Sequence, residues 1–126
     1  MSLQLSMVGL IVEDMGAALE FYRRLGLDIP AGAEDKPFVQ LQMESGVTVF
    51  WDTFFAKRHY PDMKPPEGGS RVMLEFFLED EVAVDAKFEE LVGFGYPAPM
   101  APEQTVGPYA AMVDDPDGNI ILLTAG

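Results

Sequence analysis

Met7-Val-Gly-Leu-Ile-Val-Glu-Asp14 and Met73-Leu-Glu-Phe-Phe-Leu-Glu-Asp80 read as two copies of one unit. Each is an apolar run closed by Glu-Asp. A helical run follows each. The first contains Phe21-Tyr22 and Leu25-Gly26-Leu27; the second contains Phe88 and ends at Gly93-Phe94-Gly95. The pair at Glu13-Asp14 recurs at Glu79-Asp80, 66 residues later and about half a chain away. A repeat of that length points to duplication of one supersecondary unit.

Working outward, residues 4–13 are almost wholly apolar, as in a strand buried on both faces. Asp14 is placed to cap a helix carrying Ala17, Ala18, Phe21, Tyr22 and Leu25, which Gly26 stops. Asp28 to Ala33 reads as a short extended or turn segment around Pro30. Residues 37–43 alternate, Glu44-Ser45-Gly46 is a turn, and 47–52 return, so 37–52 reads as a hairpin. Residues 53–69 hold Pro61, Pro65, Pro66, Gly68, Gly69 and the single histidine, His59. They read as a linker between the copies, long enough to carry local structure.

The second copy repeats the order. A strand spans 70–79. A helix spans 81–92, with Val82, Ala86, Phe88, Leu91 and Val92 as its apolar side. A proline-dense extended segment covers 96–102 and suits an edge. Strands 107–113 and 119–124 are joined across Asp114-Asp-Pro-Asp-Gly-Asn119, a hairpin signal. The fold class is therefore α+β: two β-α-β-β-β repeats, eight strands and two main helices, forming a curled mixed sheet around a concave groove. One domain spans 1–126, with repeat 1 at about 4–52, the linker at 53–69 and repeat 2 at about 70–124.

A chain of 126 residues can bury about 65–70% of its unfolded surface and needs no staple. It has no cysteine, which excludes disulfides, thiolate metal sites and a thiol nucleophile. No apolar run approaches the ~18 residues of a membrane span, and no signal peptide is recognised. A cytoplasmic setting is the expectation. Twenty-one acids face eight bases, a net charge of −13. Nucleic acid and anionic membranes are poor partners for such a surface. The acidity serves solubility, or it draws in a cationic ligand.

Three motifs carry a family resemblance. They are Val12-Glu-Asp14 followed by Phe21-Tyr22 and Leu25-Gly26-Leu27; Gly107-Pro-Tyr109; and Val113-Asp-Asp-Pro-Asp-Gly-Asn119 followed by Ile120-Ile-Leu-Leu. With the element order they resemble the vicinal oxygen chelate superfamily, which includes glyoxalase I, extradiol dioxygenases and bleomycin-resistance proteins. The resemblance runs from about residue 4 to 124. It implies units that curl their strands and together enclose a site. Metal-dependent members hold a divalent ion with His, Glu or Gln from the first and last strands of the units. The matching positions here are Met7, Phe50, Met73 and Leu122, all apolar. A hard or borderline divalent ion needs oxygen or nitrogen donors. The resemblance thus supports the fold and argues against the metal chemistry, so no metal and no other cofactor is expected.

Strand alternation predicts the groove lining. Met7, Phe50, Met73 and Leu122 bring Gly9, Ile11, Thr48, Asp52, Glu75, Phe77, Ile120 and Thr124 with them, and the 37–43 strand adds Phe38, Gln40 and Gln42. The opposite faces, with Val8, Leu10, Val12, Val39, Leu41, Val47, Val49, Val72, Leu74, Phe76 and Leu78, are wholly apolar and suit packing on helices. Phe38, Phe50, Phe77 and Met73 would supply contact area to a ligand, or simply fill core. Asp52 and Glu75 could pair with a cation; Asp52 could equally only cap its strand. Gln40 could orient a polar group, and Tyr109 could close one end. Trp51 reads as core, and His59 as a loop residue.

The leading reading is a metal-free small-molecule-binding protein similar to bleomycin-resistance members, sequestering an aromatic ligand, a cationic one where the acidity serves to draw it in. By resemblance it would be a homodimer. The alternative is a lyase, isomerase or dioxygenase-like enzyme with Glu75 or Asp52 as general base. A module whose groove binds a peptide or partner ranks third.

Overall fold

A computed structural model describes residues 3–59, 62 and 72–125. The chain divides into two compact units, Met1–Pro65 and Pro66–Gly126. The boundary falls inside the expected linker, most of which lies outside the described residues.

The first unit runs β1 (Met7–Ile11), α1 (Met15–Leu25), a 3₁₀ turn (Ala33–Asp35), β2 (Phe38–Gln42), β3 (Thr48–Asp52) and α2 (Phe55–His59). Its three strands lie in the order β1-β3-β2, parallel between β1 and β3 and antiparallel between β3 and β2. Asp14 caps α1 as its sequence position predicts, accepting the Ala17 N–H at 3.0 Å. Gly26 ends the helix at φ 127°, a conformation other residues avoid, and donates to the carbonyls of Tyr22 and Arg23. Met15, Ala18, Leu19, Phe21, Tyr22 and Leu25 form the buried stripe of α1. Trp51 on β3 is fully buried and its ring meets Tyr22 at 5.2 Å. The core reading of Trp51 therefore holds.

The second unit runs β4 (Met73–Leu78), α3 (Glu81–Gly93), β5 (Met100–Gln104), β6 (Tyr109–Asp114) and β7 (Ile120–Ala125). Its sheet order is β4-β7-β6-β5. Asp80 caps α3 through the Ala83 N–H at 2.9 Å. β5 is an edge strand, and its pairing with β6 shifts register between Met100 and Glu103, around Pro102. A proline with no N–H to give is tolerated there.

Three expectations need correction. Seven strands, not eight, are present among the described residues. The missing one is the 28–33 segment. Its carbonyls at Ile29 and Pro30 accept from the Arg23 guanidinium at 3.1 and 2.5 Å, and Gly32 turns at φ 84°, so the segment is bonded to α1 and forms no ladder with β2. Second, β1 is buried on one face only. Leu10 and Val12 are buried while Met7, Gly9 and Ile11 are exposed. Third, the buried residues of α3 are Val84 and Leu91, with Phe88 half-buried between them, and Val82 is 75% exposed. Starting the helix at Glu81 sets that phase, since positions 84, 88 and 91 share one side at 3.6 residues per turn. No described helix is long and apolar enough to cross a membrane.

Candidate functional site

Strand register decides which side chains share a face. In the first unit, Met7 pairs with Thr48, Gly9 with Phe50 and Ile11 with Asp52; across β3, Phe38 pairs with Asp52, Gln40 with Phe50 and Gln42 with Thr48. All nine positions therefore lie on one side of the sheet, opposite the side that Trp51 presents to α1. Met7 is 39% and Phe38 40% exposed, so this face is open. Phe38 stacks on Phe50 with ring centroids 5.0 Å apart and 27° between planes. The Phe50 ring also covers Gly9, where a Cβ would fall within the ring itself. Glycine at position 9 is what lets the tip of that ring sit over the β1 backbone.

In the second unit, Met73 pairs with Ile120, Glu75 with Leu122 and Phe77 with Thr124, and β6 adds Asp114, Met112 and Ala110 in the same rows. Met73 is 50% and Phe77 75% exposed. Glu75 is exposed and accepts a hydrogen bond from the Thr124 hydroxyl at 3.0 Å.

Eight of the ten candidate residues thus fall on open sheet faces: Met7, Phe38, Gln40 and Phe50 in one unit, Met73, Glu75, Phe77 and Leu122 in the other. Asp52 is placed differently. It is 2% exposed, and its Oδ1 accepts the N–H groups of Phe54 and Phe55 at 2.9 and 2.7 Å. Its carboxylate therefore holds the entry to α2. Tyr109 points to the helix side of β6, where its hydroxyl donates to Asp85 on α3 at 2.5 Å. Sequence reasoning missed Asp114 and Met112. Reading the alternation of β6 together with that of β7 would have found both. Burial, aided by the neighbouring Asp115 charge, raises the Asp114 carboxyl above its ordinary value.

The hydrogen bond to Asp85, then burial and the acidic neighbours Asp85 and Glu81, push the Tyr109 hydroxyl from 10.0 up to about 12. Folding thus favours its protonated form. The contribution is intact below pH 10.0 and is lost as the pH climbs through about 12. In an ultraviolet titration one tyrosine should ionise near 12, and Asp85→Ala should return it towards the ordinary value. A set of tyrosines all ionising together would refute the contact.

The resemblance implies four positions for a divalent ion. Met7, Phe50, Met73 and Leu122 offer thioethers, a ring and an alkyl chain. Among the described residues no group of three or more His, Cys, Asp or Glu is placed to hold a metal ion. His59 ends α2 with its ring 4.5 Å from that of Phe55. The residues do not fit the group.

The sequence profile of the Glyoxalase/Bleomycin resistance protein/Dioxygenase superfamily matches residues 4–123. The chain belongs to that superfamily. No curated protein sequence matches it significantly. Its fold is that of other glyoxalase-superfamily proteins of known structure. A hypothetical protein from S. aureus superposes with a TM-score of 0.81 at 21% identity, covering 100% of this chain and 95% of its own. A glyoxalase/bleomycin resistance protein/dioxygenase family enzyme from Burkholderia phytofirmans gives 0.81 at 21%, with 98% of each chain covered. A lactoylglutathione lyase from Agrobacterium tumefaciens gives 0.70 at 20%, covering 98% of this chain and 93% of its own.

Proposed function

We propose that this chain is a small-molecule-binding member of the glyoxalase superfamily that holds its ligand without a metal ion. The observation that carries the reading is the Phe38–Phe50 stack lying on Gly9, at a position where metal-dependent relatives need a donor. An exposed aromatic platform flanked by Gln40 and Met7 suits a planar apolar ligand. In the second unit, taken by itself, Glu75 stands among Met73, Leu122 and Phe77, an apolar face whose one carboxylate suits a cationic ligand. The net charge of −13 acts in the same direction. A homodimer in the cytoplasm is the proposed setting.

Calorimetry with Ni²⁺, Zn²⁺, Mn²⁺ and Fe²⁺, then with a panel of planar cationic aromatics, tests the reading. No ion should bind above non-specific levels, and at least one aromatic should saturate. Phe50→Ala should weaken that ligand about five- to tenfold, the worth of one aromatic contact. One tightly held ion per chain would sink the proposal. A second reading rests on Glu75, an exposed carboxylate on an open face whose described partner is one hydroxyl. It could act as a general base in an enzyme of the same superfamily. Turnover of a bound ligand that disappears in Glu75→Gln would favour it.

A further inference from the structure

The two units differ at one edge. In the second, β5 lies beside β6. In the first, the corresponding place beside β2 has no strand among the described residues, because Arg23 holds the 28–33 segment against α1. The outer edge of β2 is therefore unpaired. The ladder shows which groups it presents. The Pro37 carbonyl accepts from Thr53 at 3.0 Å and the Met43 N–H donates to Val47 at 2.8 Å. Odd-numbered residues thus bond to β3, and Phe38, Gln40 and Gln42 direct their N–H and C=O groups outward.

A recess of about 380 Å³ lies beside this edge, walled by Pro30, Ala31, Ala33, Lys36, Phe38 and Gln40. That volume falls in the range of small-ligand sites, ~300–1,000 Å³. Lys36 is exposed and has no carboxylate partner among the described residues; the nearby Glu34 is taken by Arg23 at 2.7 Å. A main-chain donor and acceptor, an aromatic ring and an ammonium group therefore converge on one recess. We propose that it binds a small carboxylate carrying a secondary amide, as an N-acylated amino acid does. The ligand amide pairs with the β2 edge as an added strand would. Its carboxylate meets Lys36, and its side chain lies against Phe38 and Pro30. The recess lies at the edge of the sheet, so the proposal does not depend on the open-face reading above.

The test is an amide-resolved NMR titration with N-acetyl-phenylalanine and with its carboxamide. The carboxylate should move the amides of Ala31 to Gln40, and the carboxamide should bind about tenfold more weakly. Lys36→Met should weaken the carboxylate by a similar factor and leave the carboxamide unchanged. Gln40→Pro removes an outward N–H while leaving the β2–β3 ladder its bonds. It should abolish binding, whereas Gln40→Ala should retain it. Equal affinity for the two probes, an unchanged Lys36→Met, or no binding at millimolar concentration would overturn the proposal. So would shifts centred on Met7 and Phe50, which would instead support the open-face site. If Gln40→Pro does not fold, the Lys36→Met comparison decides alone.

Discussion

Trp51→Ala should unfold the protein more readily than any other single truncation in the first unit, by about 3–5 kcal/mol. Trp51 sits on the central strand of its sheet, is fully buried and packs against Tyr22. Loss on that scale is a large share of the ~5–15 kcal/mol that holds a typical domain together. It should lower the midpoint of thermal unfolding by roughly 10–20 °C. Trp51→Phe separates packing from polarity. The indole Nε1 is buried and has no hydrogen-bond partner among the described residues. Phenylalanine removes that unsatisfied donor while keeping most of the apolar volume, so the two effects oppose each other. Its cost should stay within about 1.5 kcal/mol. Circular dichroism is the appropriate probe, because Trp51 is the only tryptophan and either change removes the fluorophore. Equal losses in the two variants would show that the indole N–H does contribute a bond, and the packing argument would fail.

The duplication made most of this fold legible in the sequence. The two Glu-Asp pairs located both helix starts, because Asp14 and Asp80 each accept an N–H three residues on. Period-2 alternation placed Met7, Phe50, Met73 and Leu122 on faces that the strand pairings show to be open. Illegible features were those in which a side chain from elsewhere overrides a local pattern. Nothing near Ile29 announces that Arg23, six residues earlier, will take its carbonyl and deny the first unit a fourth strand. The helix side of Tyr109 follows from the alternation of β6, but its bond to Asp85 spans 24 residues and nothing local announces that partner. Asp52 could be read as a ligand group or a cap, and only its two backbone bonds decide how its carboxylate is used. A strand's own pattern also says nothing about which edge is left unpaired. β2 and β6 each hold the second place in from a hairpin partner, yet only β6 has a further strand beside it among the described residues.

Asp115→Ala should destabilise the second unit by about 2–4 kcal/mol. Asp115 is only 3% exposed. One of its carboxylate oxygens accepts the N–H groups of Asp117 and Asn119 at 2.9 and 2.8 Å, and the other accepts the Asn119 side-chain amide at 3.0 Å. Gly118, at φ 86°, closes the turn. The carboxylate thus organises the whole Asp115-Pro-Asp-Gly-Asn119 loop and sets the pairing of Asp114 with Ile120. That pairing fixes the phase of β7 and hence which of its residues share a face with Glu75. Alanine leaves two loop N–H groups without their acceptor, at a cost near 1–3 kcal/mol for each that stays buried. Asp115→Asn keeps an oxygen for those two N–H groups but loses the charge and sets one amide against another at Asn119. Its cost should be about half that of alanine, since charge-assisted bonds are roughly twice as strong as neutral ones. Denaturant unfolding of the three proteins distinguishes the cases. An alanine variant within 0.5 kcal/mol of the parent, roughly the scatter of an ordinary surface substitution, would sink the argument. The turn would then be held by Gly118 and its two backbone bonds, Asp115 N–H to the Asn119 carbonyl at 2.9 Å and Gly118 N–H to the Asp115 carbonyl at 3.0 Å.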